Sequence, residues 1–225
     1  MDTLTLFDAY SVPLLKGLLV TMQVSLSSFA IGVLIATFAA PLLAYARPLV
    51  RFPVRAYVDV FRGLPELLVI FLFFYGGTVA LTSMFGHYVE VSPFAAGIAA
   101  LSLVAGAYLT EIFRAALVSV NEGQWEAAYA LGLSPIKTFI LVVLPQTARR
   151  AAPGMANQWL VSLKESALVS VIGLEELMRT TVVGAGSTQR PLEFYLFASI
   201  LYLLVTSMSQ AAISAIGIRA KHGRA

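Results

Sequence analysis

Six polar side chains, Glu66, Glu111, Arg114, Lys164, Glu165 and Ser166, stand in stretches of this sequence that are otherwise apolar. An ionised group at the middle of a bilayer costs roughly 2.5–3.5 kcal/mol on insertion scales, so such groups turn toward a partner, a bundle interior or a wet cavity. The chemistry open to them is pairing and binding. Glu111 and Arg114 are three residues apart, the spacing at which side chains on a helix meet. They can form a structural ion pair, with control of a gate as the sharper alternative. Lys164 and Glu165 are adjacent, point about 100° apart on a helix and do not simply neutralise each other. Lys164 is expected to bond carbonyls or a neighbouring helix. Glu66 follows Pro65, where a first-turn carboxylate suits the helix dipole; facing a cavity, it could instead attract a cation.

Catalysis lacks its usual parts. There is no cysteine, which removes disulfides, thiolate metal sites and cysteine nucleophiles. His87 and His222 are solitary, so no metal-ligand set is spaced along the chain. Neither HExxH nor GxSxG occurs, which leaves protease and lipase readings without their chemistry. GxxxxGK[ST] is also absent, so the chain cannot cradle nucleotide phosphates by that device. No catalytic residue, bound cofactor, metal or nucleic-acid partner is expected.

The elements that must carry the polar residues are membrane helices. The 225-residue chain is 59% hydrophobic and 12% charged, against about 45–50% and 25% for soluble domains. A single all-α membrane domain over 1–225 is expected, with five spans at about 12–46, 57–81, 94–118, 153–174 and 192–218. The opening residues, MDTLTLFDAYS, carry two aspartates and no basic segment, so the first tract should be retained rather than cleaved. Arg62-Gly63-Leu64-Pro65-Glu66 puts a breaker pair ahead of Leu67, and predicts a kink or helix restart there.

Charge placement gives the orientation. Of the fifteen Lys and Arg, eleven fall on one proposed side: Arg47, Arg51, Arg55, Arg62, Arg114, Lys137, Arg149, Arg150, Arg219, Lys221 and Arg224. Lys16, Arg179 and Arg190 fall on the other, and Lys164 lies within the fourth span. Positive charge collects inside, so the N-terminus is expected outside and the C-terminus in the cytoplasm.

Between the third and fourth spans lies a segment of about thirty residues, 119–150, far longer than the median connection of about 4–6. Asn121 to Gln124 reads as a turn and cap, and Trp125 to Leu131 as a short helix. Gly132 should end that helix, Ser134-Pro135 should start another, and Pro145 should interrupt again. Alanines at 127 and 128 permit close approach of another protein, while Trp125, Tyr129 and Leu131 could anchor in an apolar groove. An amphipathic helix lying at the membrane surface is the plainer alternative.

Glu126-Ala127-Ala128, Gly132, Ile140 and Leu144-Pro145 resemble the EAA loop of ABC importer permeases, the short cytoplasmic helix that engages the ATPase. Gly106-Ala107-Tyr108 through Glu111-Ile112-Phe113-Arg114, and Lys164 through Ser170, extend the likeness to the polar amino acid permease family over most of the chain. The resemblance implies the type I importer permease fold and ATPase coupling through Trp125, Glu126, Ala127, Ala128, Leu131, Gly132 and Pro145. It also implies a substrate pathway near Glu66, Glu111, Arg114, Lys164, Glu165 and Ser166. An acidic residue at 66 is similar to the branch that imports basic amino acids and opines.

The implied partners are a cytoplasmic ABC ATPase homodimer, which carries the ATP and Mg, and a second permease subunit, either a similar chain or a second copy. A periplasmic substrate-binding protein and the lipid bilayer complete the set. The expected function is import of polar amino acids across the bacterial inner membrane, basic ones or opines first, with glutamine or glutamate as an alternative. An ATP-independent channel, a secondary transporter and a membrane assembly protein are the readings from other classes.

Overall fold

A computed structural model describes the backbone of residues 3–222 and the side chains of residues 9–215. Among these residues the regular structure is helical throughout, without strands. The elements are α1 (Thr3–Tyr45), α2 (Pro48–Gly63), α3 (Glu66–Phe71), α4 (Gly77–Phe85), α5 (Pro93–Val118), α6 (Glu122–Ala130), α7 (Pro135–Thr138), α8 (Leu144–Glu165), α9 (Leu177–Thr188) and α10 (Pro191–His222). Two π-helical turns, Leu72–Gly76 and Phe139–Val143, and a 3-10 helix, Ser166–Ile172, join neighbours. The side chains of Arg219, Lys221 and His222 and the whole of Arg224 lie outside the described residues.

Four described helical segments are long and apolar enough to cross a membrane: Ala9–Tyr45, Glu66–Phe85, Pro93–Val118 and Pro191–Ala215. Large apolar side chains such as Phe38, Val79, Leu203 and Met208 are exposed along them. That much exposed hydrocarbon belongs in lipid or against another apolar surface. The tract expected at 153–174 is helical to Glu165 and then 3-10, and its polar residues keep it out of those four. In the described α1, α5, α8, α9 and α10, several Ser and Thr hydroxyls donate to the carbonyl four residues back. Ser25 to Thr21, Thr110 to Gly106 and Thr181 to Leu177 lie at 2.7, 2.6 and 2.7 Å. A hydroxyl thereby finds an acceptor on its own helix where water is absent.

The chain packs as two units. One comprises residues 1–27, 66–101 and 159–225, and the other residues 28–65 and 102–158. In the first, α9 packs on α10, and α3 packs on the 3-10 helix. A Cβ at Gly97 of α5 would stand 2.6 Å from Val169 Cγ1, so only glycine permits that approach. In the second unit, Ala36 of α1 and Ala105 and Leu109 of α5 form a small-residue core flanked by Phe29, Val33, Ile112, Phe113 and Met155.

The break at Pro65 follows from local sterics. Leu64 adopts φ −90°, ψ 143°, the extended conformation forced on a residue before proline, and a new helix begins at Glu66. The tract expected at 57–81 is therefore divided between α2 and the helical run Glu66–Phe85. Pro145 behaves differently from expectation. Helix continues through it from Pro135 to Glu165, with the π turn 139–143 immediately before it. Proline cannot donate to residue i−4 and crowds that carbonyl; the wider π turn absorbs the misfit without ending the helix.

Candidate functional site

The segment between α5 and α8 is built as a small folded cap. Asn121 starts α6, its side-chain oxygen accepting from the Gly123 N–H at 2.8 Å. Gly132, at φ +77°, turns the chain out of α6, and the Leu133 and Gly132 N–H groups close its last carbonyls on Ala128 and Tyr129 at 3.1 and 2.9 Å. Ser134 occupies the N-cap position of α7 in extended conformation, but its side chain makes no capping bond. Across to α8, the Gln146 amide donates to Gln124 at 3.0 Å, and Arg150 donates to the Ser119 carbonyl and, at 3.0 Å, to its hydroxyl.

The residues expected to dock divide between two faces. Trp125 is half-buried against Ala40, Leu117, Val120 and Val143, together with Phe113 and Phe139. Its ring also meets Tyr45 edge-on at 6.1 Å. Ala128 is buried beside it. Trp125 thus anchors α6 to its own unit, contrary to the expectation that it reaches into a partner's groove; an indole prefers the nearest apolar cluster that can cover it. Glu126, Ala127, Leu131 and Gly132 are exposed, as is much of Tyr129. Next to this face, Tyr45, Trp125, Pro135, Ile136, Phe139 and Ile140 line an open apolar cavity of about 710 Å³. Pro145, within the continuous helix, is exposed.

The charged residues of the apolar tracts fall into separate groups. In the second unit, Glu111 accepts from Arg114 Nε at 2.7 Å, an ion pair three residues apart on α5. In the first unit, the packing of α3 on the 3-10 helix brings Glu66, first residue of α3, and Glu165, half-buried at the end of α8, within electrostatic reach of each other. Ser166 is fully buried and donates to the Leu163 carbonyl at 2.8 Å. Lys164 is exposed and, among the described residues, makes none of the carbonyl bonds expected of it. The 100° step along the helix sends it away from Glu165. Gln158 and Ser162 of α8 and Ser166 of the 3-10 helix follow at four-residue intervals and are all buried, and Gln158 Nε2 and Ser162 Oγ have no hydrogen-bond partner among the described residues. This stripe was legible only as polar composition, because the sequence does not tell which side of the helix is covered.

One buried cluster escaped the sequence reading altogether. Glu176 has no exposed surface. Its carboxylate caps α9 by accepting from the Arg179 N–H at 2.8 Å, and also accepts from Thr21 of α1 at 3.0 Å and Tyr202 of α10 at 3.4 Å. The Leu177 N–H donates back to the Thr21 hydroxyl at 3.2 Å. Burial raises the Glu176 pKa, while the backbone groups of Met178 and Arg179 and the two hydroxyls pull it down less strongly. A glutamate is not a favoured N-cap residue, so nothing in Glu175-Glu176-Leu177 flagged it.

Residues 32–220 match the family described as "Binding-protein-dependent transport system inner membrane component". The chain belongs to that family. As an inner membrane component of such a system it is a multi-pass transport subunit and not an enzyme. It is 41% identical over 207 residues to the octopine transport system permease protein OccQ of Rhizobium radiobacter, covering 90% of this chain and 87% of that one. Over 214 residues it is 36% identical to the arginine ABC transporter permease protein ArtQ of Haemophilus influenzae, covering 95% and 96%. Among solved structures, a crystal structure of an amino acid ABC transporter with histidines superposes with a TM-score of 0.85 at 30% identity, covering 97% of this chain and 99% of that chain. The fold of this transport component is therefore that of an ABC importer permease.

Proposed function

We propose that this chain is the permease subunit of an ABC importer for basic amino acids or opines in the bacterial inner membrane. It spans the membrane five times, the tract 153–174 included, with the N-terminus outside and the C-terminus in the cytoplasm. It works with an ATPase homodimer that holds the ATP and Mg, with a second permease subunit or second copy, and with a periplasmic binding protein that delivers substrate. The observation that carries this reading is the division of α6. Trp125 and Ala128 lock one face to the chain's own core, which leaves Glu126, Ala127, Leu131 and Gly132 as a rigid outward surface for the ATPase. A rigid surface transmits a push; a loose loop would absorb it.

The acidic pair Glu66 and Glu165 supports a cationic substrate, as does likeness to permeases named for octopine and arginine. Two carboxylates held near each other stabilise a guanidinium or ammonium group placed between them. Glu111 and Arg114 are already paired and serve structure in this reading. Replacing Glu66 by Gln is expected to lower arginine or ornithine uptake about tenfold or more, mainly through KM, since a hydrogen bond to a charged group contributes roughly 1.5–3 kcal/mol. Unchanged uptake and selectivity would remove Glu66 from the pathway.

The reading as a whole is tested in proteoliposomes holding this chain, its ATPase and its second permease, with binding protein and labelled arginine or octopine supplied outside. Uptake is expected only when ATP and Mg are enclosed on the ATPase side. Transport without the ATPase would make the chain a channel or secondary transporter. An inserted, assembled complex that moves nothing with any polar amino acid would make it an assembly protein.

A further inference from the structure

The sixteen residues of α2 carry Arg51, Arg55 and Arg62, with Arg47 at its N-cap, directly after the first membrane-crossing helix. At 100° per residue, Arg51, Arg55, Asp59 and Arg62 share one arc of the helix. Val58 is buried and Val54, Tyr57 and Phe61 are half-buried on the arc packed into the rest of the second unit, to which α2 belongs. The remaining arc is apolar and open, with Leu49 89% and Phe52 75% exposed. Beside it, Phe38, Ala39 and Leu42 of α1 and Pro53, Val54 and Tyr57 of α2 line an open apolar groove of about 500 Å³. The Tyr57 hydroxyl is committed to the Leu103 carbonyl at 2.7 Å, so the groove has little to offer a polar ligand.

Arg62 stacks over the Tyr108 ring at 5.4 Å, and the rest of the basic arc is under-used. Arg51 spends one Nη on the Ala44 carbonyl at 3.2 Å, and Arg55 pairs with Asp59 at 3.4 Å with both groups largely in the open. Exposed pairs of this kind contribute little, and a guanidinium has five N–H donors, so most donors remain available to a phosphate. Arg47 makes no ion pair among the described residues and is exposed.

We propose that the first turns of α2, which run back along the end of α1, bind anionic phospholipid at the edge of one leaflet. The phosphate sits against Arg47, Arg51 and Arg55, and the acyl chains cover Leu49 and Phe52 and enter the groove beside Pro53 and Tyr57. A cluster of basic residues immediately after a membrane span has the form that recognises anionic headgroups. A second copy of this chain suits the face less well. A twofold interface sets a patch against itself, and here it would set arginines against arginines. The proposal needs the chain to span a membrane, but not the orientation, the ATPase or the substrate assigned above.

The test uses the full chain in its assembled complex, extracted from vesicles of phosphatidylcholine with one-fifth phosphatidylglycerol and examined by native mass spectrometry. Phosphatidylglycerol is expected to be retained in excess over its share in the vesicle, and the excess to fall in high salt. The double variant Arg51→Gln, Arg55→Gln should lose about tenfold of that preference, since each basic residue near an anionic surface contributes about 1 kcal/mol at most. Phe52→Ala, which keeps the charges, should lower retention of both lipids. Equal retention of the two lipids by the unaltered protein would overturn the proposal, as would an unchanged preference in the double variant. So would efficient cross-linking between copies through Phe52→Cys, because protein and not lipid would then cover the face.

Discussion

Replacing Glu126 by lysine is expected to abolish ATP-driven uptake while the chain still inserts and folds. Glu126 is exposed on α6 and makes no ion pair among the described residues, and substitutions at such positions usually change stability by no more than about 0.5 kcal/mol. A reversed charge at a desolvated protein contact costs several kcal/mol, which is enough to disrupt the proposed docking contact. Gly132→Asp should act the same way for a different reason. A Cβ there meets open space, so the fold loses only the roughly 1–2 kcal/mol of a left-handed residue. The added carboxylate then projects from the proposed docking face. Uptake in proteoliposomes and co-purification of the ATPase measure the effect, and undiminished transport in either variant would count against α6 as the docking element. Trp125→Ala provides the contrast: its indole packs inward, so the expected loss is thermal stability first, by about 2 kcal/mol for a half-buried aromatic.

The second large effect is expected at Glu176. Truncation to alanine removes the α9 cap and leaves the hydroxyls of Thr21 and Tyr202 without their shared acceptor. A lost cap and the lost acceptor of the part-buried Tyr202, with the Thr21 hydroxyl still within reach of the Gly17 carbonyl, together amount to about 2 kcal/mol, or a melting midpoint lowered by roughly 4–8 °C for a chain of this size. Glu176→Gln keeps the shape and an acceptor for the Arg179 N–H, and should cost far less.

The pH dependence has a definite sign. Burial holds the Glu176 pKa above its ordinary value of 4.5, so the folded chain binds this proton more tightly than the unfolded one. The associated stability is fully present below pH 4.5 and is lost as pH rises through the folded value. A thermal-melt series from pH 4.5 upward should therefore fall more steeply for the unaltered protein than for Glu176→Gln. Parallel slopes would show that the carboxyl titrates as an exposed group.

Much of the importer was legible one residue at a time. Glu111 and Arg114 pair as their spacing requires, Pro65 breaks the helix and extends Leu64, Asn121 caps α6, and Gly132 turns left-handed at its end. Each of these is a local rule that tertiary contacts had no reason to oppose. Pro145 is where a local rule met a tolerant neighbour, since a π turn let the helix pass.

What the sequence determined by itself is the membrane class, the helical character and the family, because hydropathy, breakers and short motifs act over a few residues. Only the tertiary structure decided which face of each helix is covered. It turned Trp125 inward and left Glu126 outward, brought Glu66 within reach of Glu165 from a hundred residues away, and buried Glu176 between Thr21 and Tyr202. Such pairings depend on packing between segments distant in sequence, and a helix's own periodicity names its faces without saying what each will meet.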